Sequence, residues 1–185
     1  MRLNEIVNLV LEVWPQGVRH MQLQATNFNS EILFTIASEE ELVQSFRERD
    51  QKKLLLPANF DFPLAVRSYL TWKEPSGVYT YLVFKMPNWD LPRGVAFKRV
   101  APNTDPTGGL CNWCHAYGSS EEIGMMSVTM DSRVSVSYFL CHDLSCIEKI
   151  EDATALAGKN SEKPITELYH RMEKLFENIS NYRRD

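Results

Sequence analysis

The sequence predicts an α+β fold: an antiparallel sheet, a cysteine-bearing finger packed on its edge and a long carboxy-terminal helix. Three observations carry this. Runs rich in Val, Tyr and Phe come in pairs joined by turn residues, at 78–85 with 94–100 and at 123–130 with 133–140. Four cysteines fall in two short-spaced pairs on either side of the second hairpin. An apolar stripe of helical period then runs through Ile165, Leu168, Tyr169, Met172, Leu175, Phe176, Ile179 and Tyr182.

Composition limits the function classes. A chain of 185 residues, 44% hydrophobic and 24% charged, can bury a real core. Its net charge of -4 is opposite to the basic excess of proteins that bind by neutralising phosphates, which discounts nucleic-acid binding. Four cysteines are too few for a disulfide scaffold and imply a metal site in a reducing compartment, hence the cytosol. Glu5 and Glu12 interrupt the first apolar stretch and no small-residue cleavage site follows, so it does not read as a secretory signal. No run approaches the roughly 18 apolar residues of a membrane span, so a soluble protein is expected.

The elements follow in order. Residues 1–38 read as a short appendage. Leu3, Ile6, Val7, Val10 and Trp14 share one helical stripe that Pro15 and Gly17 stop. Weak alternation from 18 to 37, around the polar turn 27–30, suggests a small hairpin that includes Ile32, Phe34 and Ile36. The main domain, 39–185, opens with Ser38-Glu39-Glu40-Glu41. That spacing lets a serine hydroxyl and a carboxylate three residues on each satisfy an orphan backbone donor, with Leu42, Val43 and Phe46 as the buried face. Pro57, Pro63 and Pro75 then bracket a single element of undetermined period at 65–72. The first hairpin follows, with a long loop at 86–92, and residues 101–109 form a Pro/Gly/Asp/Thr linker. In the second hairpin, turning at Asp131-Ser132, Val134, Val136 and Tyr138 face away from Ser135, Ser137 and Phe139. Two helices close the chain. The last has Pro164 near its start, where a missing N–H costs nothing, and Arg183 and Arg184 near its end, where they complement the helix dipole.

The cysteines are the strongest chemical signal. Cys111 and Cys114 are separated by two residues and Cys141 and Cys146 by four. A Cys-x-x-Cys turn lets two thiolates converge on one ion, and the second pair lies where a strand hands over to a helix. There the helix amino terminus is expected to favour the thiolate forms of Cys141 and Cys146. Knuckle, hairpin and helix in this order form the layout of a treble-clef zinc finger, with its core at about 108–156. Four thiolates make a closed, structural Zn2+ site, because a catalytic zinc keeps a position open for water. A thioredoxin-like redox pair would open a helix in a βαβ unit, whereas here His115, Gly118 and a hairpin follow. His115 and His142 flank the ligands; either could complete a three-Cys, one-His set, but hydrogen-bonding or surface roles are simpler.

The segments Leu110-Cys111-Asn112-Trp113-Cys114-His115 and Tyr138-Phe139-Leu140-Cys141-His142-Asp143-Leu144-Ser145-Cys146 resemble the FBP-type treble-clef domain of the FusB family. The resemblance includes Ser45-Phe46, Leu56-Pro57, Trp72-Lys73-Glu74-Pro75, Tyr81-Leu82-Val83 and Gly94-Val95 upstream, and Arg171, Leu175 and Asn178 downstream. It runs from about Glu40 to the end. It implies a non-enzymatic protein that binds elongation factor G, or another ribosome-associated translation factor, and helps to free it from the ribosome. It also implies a contact surface that includes Asn112, Trp113, Tyr138 and the last helix towards Tyr182. The family is associated with fusidic acid resistance; in the resistance proteins a helical bundle precedes the finger domain, where this chain has the 1–38 appendage.

The residues themselves leave two other classes to weigh. Lys52-Lys53, Lys98-Arg99 and Arg183-Arg184, near aromatics, would suit an RNA-binding finger, although such pairs are usually solvated faces. For an enzyme there is no Gly-x-Ser-x-Gly, phosphate-cradling loop or His-Glu-x-x-His, and Asp61 and Glu121-Glu122 read as surface.

Overall fold

A computed structural model describes residues 32–100 and 108–181. The stripe at 3–14, the turn at 27–30, most of the 101–109 linker and Tyr182 to Arg184 lie outside the described residues. Nine strands and four helices are ordered β1(Leu33–Ile36), α1(Glu39–Gln44), α2(Glu48–Gln51), β2(Leu64–Arg67), β3(Tyr69–Lys73), β4(Tyr79–Phe84), β5(Arg93–Arg99), β6(Gly109–Leu110), β7(Tyr117–Gly118), β8(Ile123–Thr129), β9(Ser135–Cys141), α3(Cys146–Leu156) and α4(Glu162–Asn181) among the described residues.

The main sheet is antiparallel, with strand order β3-β4-β5-β8-β9. Its centre is buried on both sides. Every residue of β4 after Tyr79 is buried, as expected of a strand covered on both faces rather than one. On one face Phe84 stacks on Tyr169 and Phe176 of α4, at centroid separations of 5.7 and 6.2 Å. On the other face Tyr81 meets Trp72 at 5.1 Å and Phe46 at 6.2 Å. Phe46 lies so close over Gly94 that a Cβ there would stand 2.6 Å from the ring, which is why β5 carries glycine at this point.

The predicted cap at Ser38 forms. Its hydroxyl accepts from the Glu41 N–H at 3.2 Å, and the Glu41 carboxylate accepts from the Ala37 N–H at 2.6 Å. Leu42 and Phe46 are buried, whereas Val43 is half-buried.

Three expectations need correction. The single element at 65–72 is two strands. Ser68 adopts a left-handed φ of 70°, and there the chain leaves β2, paired with β1, and enters the main sheet as β3. A propensity scan cannot see this turn because no glycine or proline marks it. Secondly, Ile32, Phe34 and Ile36 do alternate inward, but β1 pairs with β2, so the last strand of the predicted appendage packs with the main domain. Thirdly, the finger does not simply pack on a sheet edge. Its hairpin β8-β9 continues the sheet, with Lys98 opposite Ser127 and Arg99 opposite Met126.

The α4 stripe is as predicted, with Ile165, Leu168, Tyr169, Met172, Leu175, Phe176 and Ile179 all buried. No helix among the described residues is long and apolar enough to cross a membrane.

Tyr81 gives a pH test of this core. Its hydroxyl donates to the Lys53 carbonyl at 2.6 Å. Burial, and after it the Glu74 carboxylate, push its pKa up to about 12. An unfolded tyrosine ionises near pH 10, so the contribution of Tyr81 to stability is complete below about pH 10 and lost as pH rises through about 12. Tyr81→Phe should cost about 1 kcal/mol at neutral pH, through the lost hydrogen bond. Urea unfolding of the variant should then converge with that of the native chain between about pH 10 and 12; parallel curves across that window would refute the assignment.

Candidate metal centre

The four cysteines converge. One sulfur atom from each of Cys111, Cys114, Cys141 and Cys146 lies within 4.8 Å of all the others, and Cys114 alone is half-buried rather than buried. Cys111 and Cys146 Sγ are 3.8 Å apart, Cys114 and Cys141 Sγ 3.7 Å. Those separations are far beyond a disulfide bond of about 2.05 Å. They match a zinc tetrahedron, in which bonds of about 2.3 Å put the sulfurs roughly 3.8 Å apart. The donor set therefore fits Zn2+ in a closed, structural site.

Each half of the site has a local cause. Cys111 and Cys114 sit on the turn between β6 and β7. There the Cys111 N–H donates to the Ala116 carbonyl at 2.9 Å, the His115 N–H to the Cys111 carbonyl at 3.0 Å, and the Trp113 N–H to Cys111 Sγ at 3.4 Å. His115 closes the turn with a left-handed φ of 59°. Asn112 ties the knuckle to β9 by two 2.7 Å bonds: its N–H donates to the Phe139 carbonyl, and its side-chain oxygen accepts from the Phe139 N–H. The other half is Cys141, the last residue of β9, and Cys146, the first of α3.

Protons distribute unevenly over four touching sulfurs. Hydrogen bonds from Cys114, Cys141 and Cys146 hold the Cys111 thiol far below its usual range. Cys114 is also lowered: the opposing influence of Cys111 is outweighed mainly by hydrogen bonds with Cys141 and Cys146. Cys141 and Cys146 are pushed up, chiefly by Cys111 and then Cys114. Cys141 ends β9 and Cys146 opens α3, so the helix amino terminus expected to favour both of the latter thiolates is adjacent to Cys146 alone. A divalent cation removes this competition by taking the place of the shared protons.

The histidines are not in the cluster. His115 is exposed. His142 is buried with Nδ1 3.0 Å from the Glu121 carbonyl, and its pKa is lowered, mainly by burial.

The predicted contact residues separate. Asn112 is exposed and Tyr138 half-buried on β9. Trp113 is only 3% exposed, packed edge-on against Phe97 at 5.7 Å, so its ring supports the knuckle and is closed to a partner in this conformation. Tyr182 lies outside the described residues. Of the basic pairs, Arg99 is engaged 3.7 Å from the Glu121 carboxylate while Lys98 is exposed.

Supporting residues emerge that spacing did not suggest. The Tyr69 hydroxyl donates to the Leu144 carbonyl at 2.6 Å and accepts from the Ile147 N–H at 3.3 Å, satisfying a free donor in the first turn of α3. Thr80 Oγ1 donates to the His142 carbonyl at 3.0 Å. Arg171 of α4 donates to the Trp113 carbonyl and pairs with Glu167 at 3.3 Å. Sheet, finger and last helix are thus joined at the metal centre. Only Arg171 carried an earlier signal, as part of the family pattern.

No curated protein matches the chain. The sequence model described as "FBP C-terminal treble-clef zinc-finger" matches residues 40–185. That span contains all four cysteines, the sheet into which the finger hairpin is built and the helix that Arg171 ties to the knuckle, so on sequence and architecture together this chain belongs to the FBP C-terminal treble-clef zinc-finger family.

Proposed function

We propose that this protein is a cytoplasmic, non-enzymatic binding protein of the translation machinery that grips elongation factor G and modulates its release from the ribosome. The observation that carries the non-enzymatic part is the closed four-sulfur cluster. With Cys111, Cys114, Cys141 and Cys146 as its ligands, zinc has no open position for water or substrate and serves to hold a surface in shape. Family membership supports the choice of partner. Asn112 and Tyr138, beside the site, belong to the contact surface, with Tyr182 as a further contact residue; Trp113 backs it from beneath.

Isothermal titration with purified elongation factor G tests this reading. Saturable binding is expected, and Tyr138→Ala should weaken it about tenfold or more while one zinc per chain is retained. Absence of a complex would contradict the proposal. RNA binding that falls steeply with salt, without such a complex, would replace it with an RNA-binding finger.

A further inference from the structure

Among the described residues, the outer edge of β9 is open over a defined stretch. Both main-chain groups of Phe139 point away from β8, since both bond to Asn112. In an antiparallel ladder such outward positions recur every second residue, so the N–H and C=O groups of Ser137 and Ser135 point the same way. The partner strand agrees. Met125, opposite Phe139, turns its carbonyl to the Val100 N–H at 2.9 Å, and Ser127, opposite Ser137, pairs with Lys98 of β5. Among the described residues, no backbone group bonds to Ser135 or Ser137 along that edge.

The side-chain rows tell the same story. On β8, Met126 and Val128 are 0% exposed, and Met130 just beyond it 4%. In the adjacent row, Val136 and Tyr138 on β9 and Val134 just before it are only half-buried. The apolar layer is therefore incomplete where the hydrogen-bond ladder is also incomplete. Sheets commonly protect such an edge with charge, proline or a bulge, but Ser135 and Ser137 are small and uncharged. The stretch is also held firmly. Arg47 donates to the Thr129 carbonyl at 2.8 Å, and Arg49 to those of Met130 and Asp131 at 3.2 and 3.1 Å, fixing the hairpin tip.

We propose that an extended segment of the protein partner joins the main sheet as a sixth strand along β9 at residues 135–137, covering Val136 and Tyr138. Alternating donors and acceptors beside an apolar row are complemented by another polypeptide backbone. Asn112 occupies the next pairing position at Phe139, so it ends the open stretch and sets the register of the incoming strand. This inference rests on the protein-partner reading above and adds the mode of contact.

Two variants at one position separate backbone from side chain. Ser137→Pro deletes an N–H that faces outward and so breaks no sheet bond, whereas Ser137→Ala leaves the backbone intact. With elongation factor G as the probe, Ser137→Pro should weaken binding about tenfold or more and Ser137→Ala by no more than about twofold, both retaining one zinc per chain. Hydrogen exchange of the native complex should show new protection at the Ser135 and Ser137 amides, and this decides the matter if the proline variant fails to fold. A complex that is indifferent to the proline, or that leaves those amides unprotected, overturns edge pairing while the proposed function stands. Self-association of the free chain through these amides would overturn the choice of partner. No complex with the native chain would remove the proposed function, and the edge proposal with it.

Discussion

Replacing Cys111 with serine should abolish stoichiometric zinc binding and with it the cooperative unfolding of the whole described unit. Structural zinc contributes roughly 10–16 kcal/mol in small fingers, against about 5–15 kcal/mol for the net stability of a domain. The loss is not confined to the finger, because β8 and β9 are two of the five main-sheet strands. It also reaches α3, which starts at Cys146, and α4, which Arg171 ties to the knuckle. Circular dichroism and zinc analysis on one preparation would check this. A zinc-free variant that unfolds at the native temperature would mean that the metal is not part of the fold's stability.

Phe84→Ala should cost about 3–5 kcal/mol, the range for truncating a fully buried aromatic. Phe84 is 0% exposed, and besides stacking on Tyr169 and Phe176 it meets Trp89 edge-on at 5.6 Å. Its removal leaves a cavity between the sheet and α4, so faster hydrogen exchange is expected in α4 first. Zinc should remain bound, because the four cysteines sit on the β6-β7 turn, the end of β9 and the start of α3 rather than on β4 or α4. Urea unfolding showing a loss below about 1 kcal/mol would indicate that α4 is held mainly from elsewhere, with the Arg171 clamp as the first candidate.

What the sequence discloses is set by the range of the interactions involved. The Ser38 cap, the β4-β5 and β8-β9 hairpins and the α4 stripe were legible because each is set by neighbours a few residues apart. The cysteine pairs were legible because metal chemistry restricts spacing so strongly. What stayed hidden depends on distant contacts. The break at Ser68 is fixed by bonds to the Ile32 carbonyl and the Tyr169 hydroxyl, at 2.6 and 2.8 Å. The continuation of the sheet from β5 to β8 spans the linker, and nothing local announces such a pairing. Trp113 shows the same limit at the site. The family resemblance implied a contact residue there, and the packing of Phe97 beneath the knuckle shows that it faces inward.

The central claim is that one zinc on four cysteines holds sheet, finger and last helix as a single unit. Native mass spectrometry of the purified chain, before and after a strong chelator, tests it most directly. The expected result is one zinc per folded chain, and a shift to the broad, highly charged distribution of an unfolded protein once the metal is removed. A compact, metal-free chain that keeps its charge distribution in the chelator would contradict it.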